Sequence, residues 1–169
     1  MSTDSTTALE ATLRSRLLTF VPLSAAGTVA SALGTTTGAG SSGNLFWGRA
    51  PDNIDQRLTG STDPIRWGVL RLKNRRASAE NAERELVELE VLLFGRPWNQ
   101  RATLEAAADT MDAAMLRYTD AESGLLGVYG RTRNLLPPFS EPARSDVVQI
   151  MLEYTLVVWR ADLIEYSDS

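Results

Sequence analysis

Residues Gly38 to Gly43 carry a glycine pattern that could bind a phosphate. Their sequence, GAGSSG, matches G-x-G-x-x-G, which cradles a dinucleotide pyrophosphate when a buried strand enters it and a helix leaves it. The preceding SALGTTT is small and polar, and the following NLFWGRAPDN lacks helical apolar spacing. We therefore interpret residues 25–44 as a flexible loop rich in Gly, Ser and Thr, and a nucleotide-binding enzyme stays an alternative.

Glu85, Glu88 and Glu90 are the second set of residues that could do chemistry. Neighbouring carboxylates can bind a hard cation or work as an acid–base pair. However, apolar and polar residues alternate in LVELEVLLF, residues 86–94, and such alternation is typical of a strand with one buried and one solvated face. The sequence therefore predicts that Glu88 and Glu90 belong to the polar face of a sheet. We expect no catalytic residue, no metal ligand and no cofactor.

The composition excludes most other kinds of catalytic site. The chain has no cysteine and no histidine, which excludes disulfides, thiolate metal sites, a cysteine nucleophile and a Ser-His-Asp triad. Its 169 residues, 43% of them hydrophobic, are enough for one domain with a core. A net charge of -4 argues against general binding to nucleic acid, which needs a basic face, and permits a surface past which DNA slides. The sequence contains no apolar run long enough to span a bilayer.

Hydrophobic spacing predicts an α+β fold. Thr7 to Glu10 has the form of a capping box ahead of an amphipathic helix that ends before Pro22, and Asn99 can cap a second helix. The apolar positions of these helices are Leu9, Leu13, Leu17 and Phe20, then Leu104, Ala108, Met111, Met115 and Tyr118. The predicted strands are 45–47, 65–72, 86–94, 124–133 and 145–160, of which the last is central. We expect a single domain over residues 1–169, with a mostly antiparallel sheet of about four to five strands and two helices packed on one face.

Three parts of the sequence are candidates for contact with a partner. The run from Lys73 to Glu85 joins two apolar strands, carries both signs of charge and has nothing to bury, which favours an exposed hairpin tip at an interface. Trp98 stands in a turn, where an exposed tryptophan is typical of an interface anchor, and the prolines of LLPPFSEP exclude regular structure there. The predicted contact residues are Lys73, Arg75, Arg76, Glu80, Glu83, Trp98, Pro137, Pro138 and Phe139.

The order of these elements resembles a known family. A short strand ending in RAP, a strand WGVLRL, the run LVELEVLLFGRPWNQRATLEAAADTMDAAM and a last strand ending in YTLVVWR are similar to tail terminator, or tail completion, proteins of long-tailed bacteriophages and phage-like particles. The central signature is a strand ending in FGR that is followed at once by the helix LEAAADTMDAAM. The resemblance covers most of residues 5–160, although 25–44 and 52–64 are longer than the family leads us to expect.

The resemblance implies a structural virion protein without enzymatic activity. Such proteins form a homo-hexameric ring that caps the head-proximal end of the tail tube, stops tube polymerisation and joins the tail to head-completion proteins of the neck. The lumen of the ring lets viral DNA pass without sequence-specific binding. The implied location is the tail or neck of the virion, assembled in the cytoplasm of the bacterial host, with no membrane partner. A neck stopper and a tube subunit stay alternatives, but a tube subunit needs a hairpin with apolar alternation, and the hairpin tip in this sequence is charged.

Overall fold

The computed structural model describes residues 5–34, 44–49, 65–140 and 145–160. Within them the chain forms, in order, α1 (Ser5–Thr19), α2 (Val29–Leu33), β1 (Leu45–Trp47), β2 (Ile65–Ala77), β3 (Arg84–Arg96), α3 (Arg101–Met115), β4 (Leu125–Leu135) and β5 (Val148–Trp159). The five strands make one sheet in the order β1-β2-β3-β5-β4. β1 is parallel to β2, and every other neighbouring pair is antiparallel. The predicted α+β class is confirmed.

Two long strands, β3 and β5, form the middle of the sheet. They pair over their whole length, with Val87 opposite Leu156 and Val91 opposite Leu152. Alternate residues of both strands are buried on one face: Val87, Leu89, Val91 and Leu93, and Val148, Ile150, Leu152, Tyr154, Leu156 and Val158. The alternation predicted for β3 and the central position predicted for β5 are therefore confirmed.

The helices α1 and α3 cover this buried face. Leu9, Leu13 and Leu17 of α1 are at most 2% exposed, and burying one leucine contributes about 1.5–3 kcal/mol. The buried residues of α3 are Leu104, Ala107, Ala108, Met111, Ala114 and Met115. Arg16 joins the two helices, because its Nε donates a 2.9 Å hydrogen bond to the carbonyl of Ala114. The apolar spacing of both predicted helices is confirmed.

The starts of both long helices differ from the sequence prediction. α1 already includes Ser5, so Thr7 lies inside the helix and does not cap it. A 3-10 turn, Trp98–Gln100, precedes α3, and the capping position belongs to Gln100, which makes no side-chain cap hydrogen bond. Asn99 is therefore not the cap, because the extra turn moves the helix start past it.

The predicted loop over residues 25–44 contains the short helix α2. Thr28 caps α2, because its hydroxyl accepts a hydrogen bond from the Ser31 amide at 3.1 Å. Val29 and Leu33 are buried, at 0% and 2% exposure. The loop prediction is wrong for this part, since two apolar residues four positions apart were enough to attach one helical turn to the core. GAGSSG and residues 52–64 lie outside the described residues.

The glycine pattern stands between the wrong elements for a dinucleotide site. The element before it is the helix α2, and the element after it is the strand β1. A pyrophosphate cradle requires the opposite order, a strand before the glycines and a helix after them.

The charged hairpin is shorter than predicted. β2 continues to Ala77 and β3 starts at Arg84, so the turn spans only 78–83. The register shifts between Lys73 and Arg76, where Asn74 has a φ of 49°. Residues predicted to form an exposed tip are thus strand residues, because charged side chains on neighbouring strands find cross-strand partners.

Candidate assembly surfaces

The sheet face that points away from the helices carries ion pairs across four strands. We call it the outer face; its charged residues are Lys73 and Arg76 on β2, Glu88 and Glu90 on β3, Glu153 on β5 and Arg131 on β4. The Lys73 ammonium pairs with Glu90, and Arg131 Nη1 lies 2.8 Å from Glu88 Oε1 and 3.9 Å from Glu153 Oε2. The cations and carboxylates of this face are therefore satisfied largely within one copy of the chain.

Glu88 is the centre of this network. Its side chain is only 14% exposed, and it accepts a 2.9 Å hydrogen bond from Asn74 Nδ2. That hydrogen bond, with the charges of Arg131 and Arg76, lowers the pKa of Glu88 below its usual value against the opposing effect of desolvation. Glu88 is thus held as a carboxylate, and a carboxylate fixed among cations is unsuited to act as a general base near neutral pH.

The opposite end of the outer face is apolar. Trp67 and Phe94 stack with ring centroids 4.9 Å apart and an interplanar angle of 12°. Ile65, Val69 and Val147 are buried beside them, and the half-buried Phe46 and Phe139 pack against the same cluster. Phe139 therefore attaches the proline segment to the sheet, while Pro137 and Pro138 stay exposed.

Trp98 lies at this apolar end of the sheet, just beyond the last residue of β3. It is 39% exposed and belongs to the 3-10 turn that leads into α3. An ion pair of 3.0 Å between Arg96 Nε and Asp146 Oδ2 ties the end of β3 to the start of β5. Gly95 allows the chain to turn closely here, because a Cβ at this position would lie 3.3 Å from Cβ of Gln100.

A polar network that is buried at Tyr154 and exposed at Arg133 and Asp109 joins β4 and β5 to α3. The Tyr154 hydroxyl donates a 2.5 Å hydrogen bond to Asp112 Oδ1, and Arg133 Nη1 donates to Asp109 Oδ1 at 2.6 Å. Burial and then the bond to Asp112 raise the pKa of Tyr154 far above its usual value, so the phenol stays protonated. The hydrogen bond from Arg133 to Asp109 raises the pKa of that guanidinium. These hydrogen bonds join the sheet to the helix, which suits a structural anchor.

A cavity of about 480 Å³ lies between the 24–32 segment and α3. Its lining is mostly alanine, serine and threonine, with Asp109 as the charged residue. Two of its hydroxyls donate within the chain: Ser31 to the Thr28 carbonyl at 2.8 Å and Thr110 to the Ala106 carbonyl at 3.0 Å. The cavity thus lacks the convergent polar groups that orient a ligand.

Metal-binding clusters and membrane-spanning helices are two further features of the described residues that bear on function. No cluster of three or more His, Cys, Asp or Glu side chains there could hold a metal ion. None of the helices in those ranges is both long and apolar enough to cross a membrane.

The structure divides the predicted contact residues between two ends of the sheet. Three of them form ion pairs within the chain: Lys73 with Glu90, Arg75 with Glu85 and Arg76 with Glu88. The remaining six are Glu80 and Glu83, exposed in the hairpin turn, and Trp98, Pro137, Pro138 and Phe139 at the other end.

Arg131 is a residue of the outer face to which the sequence assigned no role. Its strand was predicted, but the strand order was unknown, so the glutamates of β3 and β5 could not be placed beside it. Once the order β2-β3-β5-β4 is known, the acidic strands β3 and β5 lie between the cationic strands β2 and β4, and the cross-strand ion pairs follow.

Comparisons with known proteins find a shared fold and no sequence relative. No protein-family model matches the sequence, and no curated protein matches it. The fold is similar to that of a chain in the solved structure described as "Virion of native gene transfer agent (GTA) particle", with a TM-score of 0.53 and 15% sequence identity. The match covers 94% of this chain and 100% of that chain. The two proteins thus share their fold along almost the whole chain.

Proposed function

We propose that this chain is a structural subunit of a phage-like virion. The observation that carries this proposal is the match in fold, which spans 94% of this chain and all of a chain from a gene transfer agent virion. The similarity therefore extends along nearly the whole of both chains and is not confined to one shared segment. In the described residues, the charged groups of the outer face and Asp109 of α3 are engaged in ion pairs, and the cavity between the 24–32 segment and α3 lacks convergent polar groups.

Within the particle, we infer the role of a tail terminator. The order of elements supports it: β3 ends in Phe94-Gly95-Arg96 and α3 begins five residues later, which is the signature that resembles the family. In this role, six copies form a ring on the head-proximal end of the tail tube. The ring stops tube polymerisation, binds the head-completion proteins and leaves a channel open for DNA.

The two chemically different ends of the sheet fit a subunit that contacts different partners above and below. The hairpin turn, with Glu80 and Glu83, lies at one end of β3, and Trp98 lies at the other. The 13 residues of β3 separate these ends by roughly 40 Å. We propose that one end contacts the tube and the other contacts the neck.

The mass of the purified protein tests the ring. Six copies of the 18.5 kDa chain amount to about 111 kDa, which light scattering distinguishes from a monomer, and negative-stain images of a closed ring with an open centre would support it. Unlimited polymerisation into tubes would indicate a tube subunit instead.

Removal of the gene from a particle-producing strain tests the terminator role directly. We expect tails that exceed their normal length and heads without tails, both restored when the gene is supplied again. Tails of normal length that merely fail to join heads would indicate a neck component and contradict the terminator assignment.

A further inference from the structure

The outer edge of β4 is only half covered. The segment after α3 pairs with its first part: the Arg117 amide donates to the Val128 carbonyl at 3.1 Å, and Asp120 and Leu125 exchange two hydrogen bonds of 2.9 Å. Beyond Val128, no backbone group of a described residue outside the sheet bonds to the β4 backbone.

After the register shift between Gly130 and Thr132, the outward backbone groups of β4 belong to Arg133 and Leu135. The Leu136 amide donates to Gln149 on β5 at 2.9 Å. Backbone groups along an antiparallel strand alternate between its two sides, so the N–H and C=O of Arg133 and Leu135 point away from β5. A row of free donors and acceptors on an edge strand is a template for another strand.

The charged side chains that usually protect such an edge are drawn away from it. Arg131 reaches across β5 to Glu88 on β3, at 2.8 Å. Arg133 is held against α3 by Asp109, at 2.6 Å, and by the Glu105 carbonyl, at 3.1 Å. Both guanidiniums therefore lie over their own domain and leave the backbone edge accessible.

Apolar side chains flank the same edge. Leu116, Tyr129 and Leu135 are 41%, 60% and 41% exposed. They are three of the six large hydrophobic residues that are exposed in the described part of the chain. Leu116 lies against Gly130, where an added Cβ would meet its Cδ2 at 3.3 Å. An incoming strand would cover apolar surface as well as satisfy backbone groups.

We propose that the edge from Gly130 to Leu135 binds an extended strand of a second copy of this chain, namely β1 of its neighbour. This inference rests on the proposed ring, which needs a contact that joins two different surfaces and repeats from copy to copy. The sheet has two edges, β4 and β1. In β1, the Gly48 amide donates to the Leu70 carbonyl and the Gly68 amide donates to the Asn44 carbonyl, so the backbone groups of Leu45 and Trp47 point away from β2. The Trp47 carbonyl accepts a 3.0 Å hydrogen bond from the Arg49 amide, so the groups that a new strand would meet are the two amides and the Leu45 carbonyl.

Strand directions agree with this pairing. β1 is parallel to β2, and the three following steps across the sheet are antiparallel, so β4 runs opposite to β1. A rotation about an axis along the strands therefore places β4 of one copy antiparallel to β1 of the next. Each copy gives one edge and receives the other, as ring closure requires.

Replacement of Leu135 by proline tests the proposal. Leu135→Pro removes an outward N–H and keeps the inward ladder to β5, as proline does on edge strands. We expect a protein with native circular dichroism that no longer forms the parent's ring, whereas the control Leu135→Ala, which keeps the N–H, assembles. If Leu135→Pro assembles like the parent, the edge pairing is wrong and the ring proposal stands. A parent protein that never assembles overturns both.

Amide hydrogen exchange on the unmodified protein provides a second test that does not depend on how the variant folds. The amides of Arg133 and Leu135 should exchange at least about tenfold more slowly in the assembled form than in the diluted monomer. Unchanged exchange at both amides in the assembled form would overturn the proposal. A stable dimer in place of a ring would indicate pairing of β4 with β4, and would overturn it as well.

Discussion

The Tyr154 hydroxyl of β5 donates a 2.5 Å hydrogen bond to Asp112 of α3, and this contact ties the central sheet to its covering helix. Tyr154 is 1% exposed. Arg133 Nη1 lies 3.7 Å from the other oxygen of the same carboxylate. Asp112 thus accepts one hydrogen bond from β5 and lies beside one cation of the neighbouring strand β4.

Tyr154→Phe removes the donor and keeps the ring. We expect the free energy of unfolding to fall by about 0.5–1.5 kcal/mol, the net value of one hydrogen bond, because Arg133 still compensates Asp112. Urea unfolding measures this. The matched control is Tyr129→Phe, on a tyrosine that is 60% exposed, where a change below about 0.5 kcal/mol is expected. Equal effects at both positions would mean that the bond to Asp112 contributes nothing.

The raised pKa of the Tyr154 phenol leads us to expect that the protein loses stability in alkali. Burial raises the pKa of Tyr154 above its ordinary value of 10.0, so the folded protein keeps a proton that the unfolded chain loses above about pH 10. There the unfolded state binds fewer protons than the folded state, and the free energy of unfolding decreases as pH rises. Tyr154→Phe should show a shallower decrease than the parent. Parallel curves for the two proteins would contradict the raised pKa.

The orientation of α3 can be tested by introducing aspartate at a buried position and at an exposed position of the helix. Met111 is fully buried, while the side chain of Arg101 is 49% exposed. Met111→Asp places an unpaired charge in the core and should prevent folding, whereas Arg101→Asp puts an acid in the first turn, which the helix dipole tolerates. Circular dichroism and thermal unfolding distinguish the outcomes. Gln100 is unsuitable as a control, because it accepts a 2.8 Å hydrogen bond from Arg66.

The loop between α2 and β1 should be replaceable, but α2 should not. The Asn44 amide donates to the Gly34 carbonyl at 3.2 Å, so the ends of 35–43 already meet, and a short Gly-Ser bridge costs little loop entropy. Leu33→Ala should cost about 2–5 kcal/mol. Deletion of residues 28–42, which the composition alone predicts to be harmless, should be destabilising because it removes Val29 and Leu33. Denaturant unfolding of the three variants measures how much each change lowers the free energy of unfolding.

The long, periodic elements were predictable because their signal is repeated many times. Four buried residues at every second position identified β3, and a row of apolar residues at helical spacing identified α3. The helix α2 was missed because its only signal is Val29 and Leu33, and tertiary contact decides such short helices.

The surfaces were less predictable than the fold. Sequence alone identified the charges from Lys73 to Glu85 but not their partners, since pairing depends on strand order and on the register shift after Lys73. The open edge of β4 has no local sequence signal. The edge is open because Arg131 and Arg133 point away from it, and their directions depend on where the fold places Glu88 and α3.

The charged hairpin gives the last prediction. Arg75 pairs with Glu85, and Arg76 lies 3.7 Å from Glu88. Changing Arg75 and Arg76 to Glu should cost the isolated subunit little, since exposed ion pairs contribute about 0–1 kcal/mol each. It should nevertheless weaken ring formation or attachment to the tail, if this end contacts a partner.

The matched control exchanges one pair, Arg75→Glu with Glu85→Arg, which restores the internal ion pair but inverts the surface presented outward. If the exchanged variant assembles normally, the defect of the doubly reversed protein arises from a disturbed hairpin structure. If the exchanged variant assembles weakly at both low and high salt, the defect arises from the lost contact with a partner. Normal assembly of the doubly reversed protein would remove the hairpin from the contact surface and leave Trp98 and the Pro137–Phe139 segment as the remaining candidates.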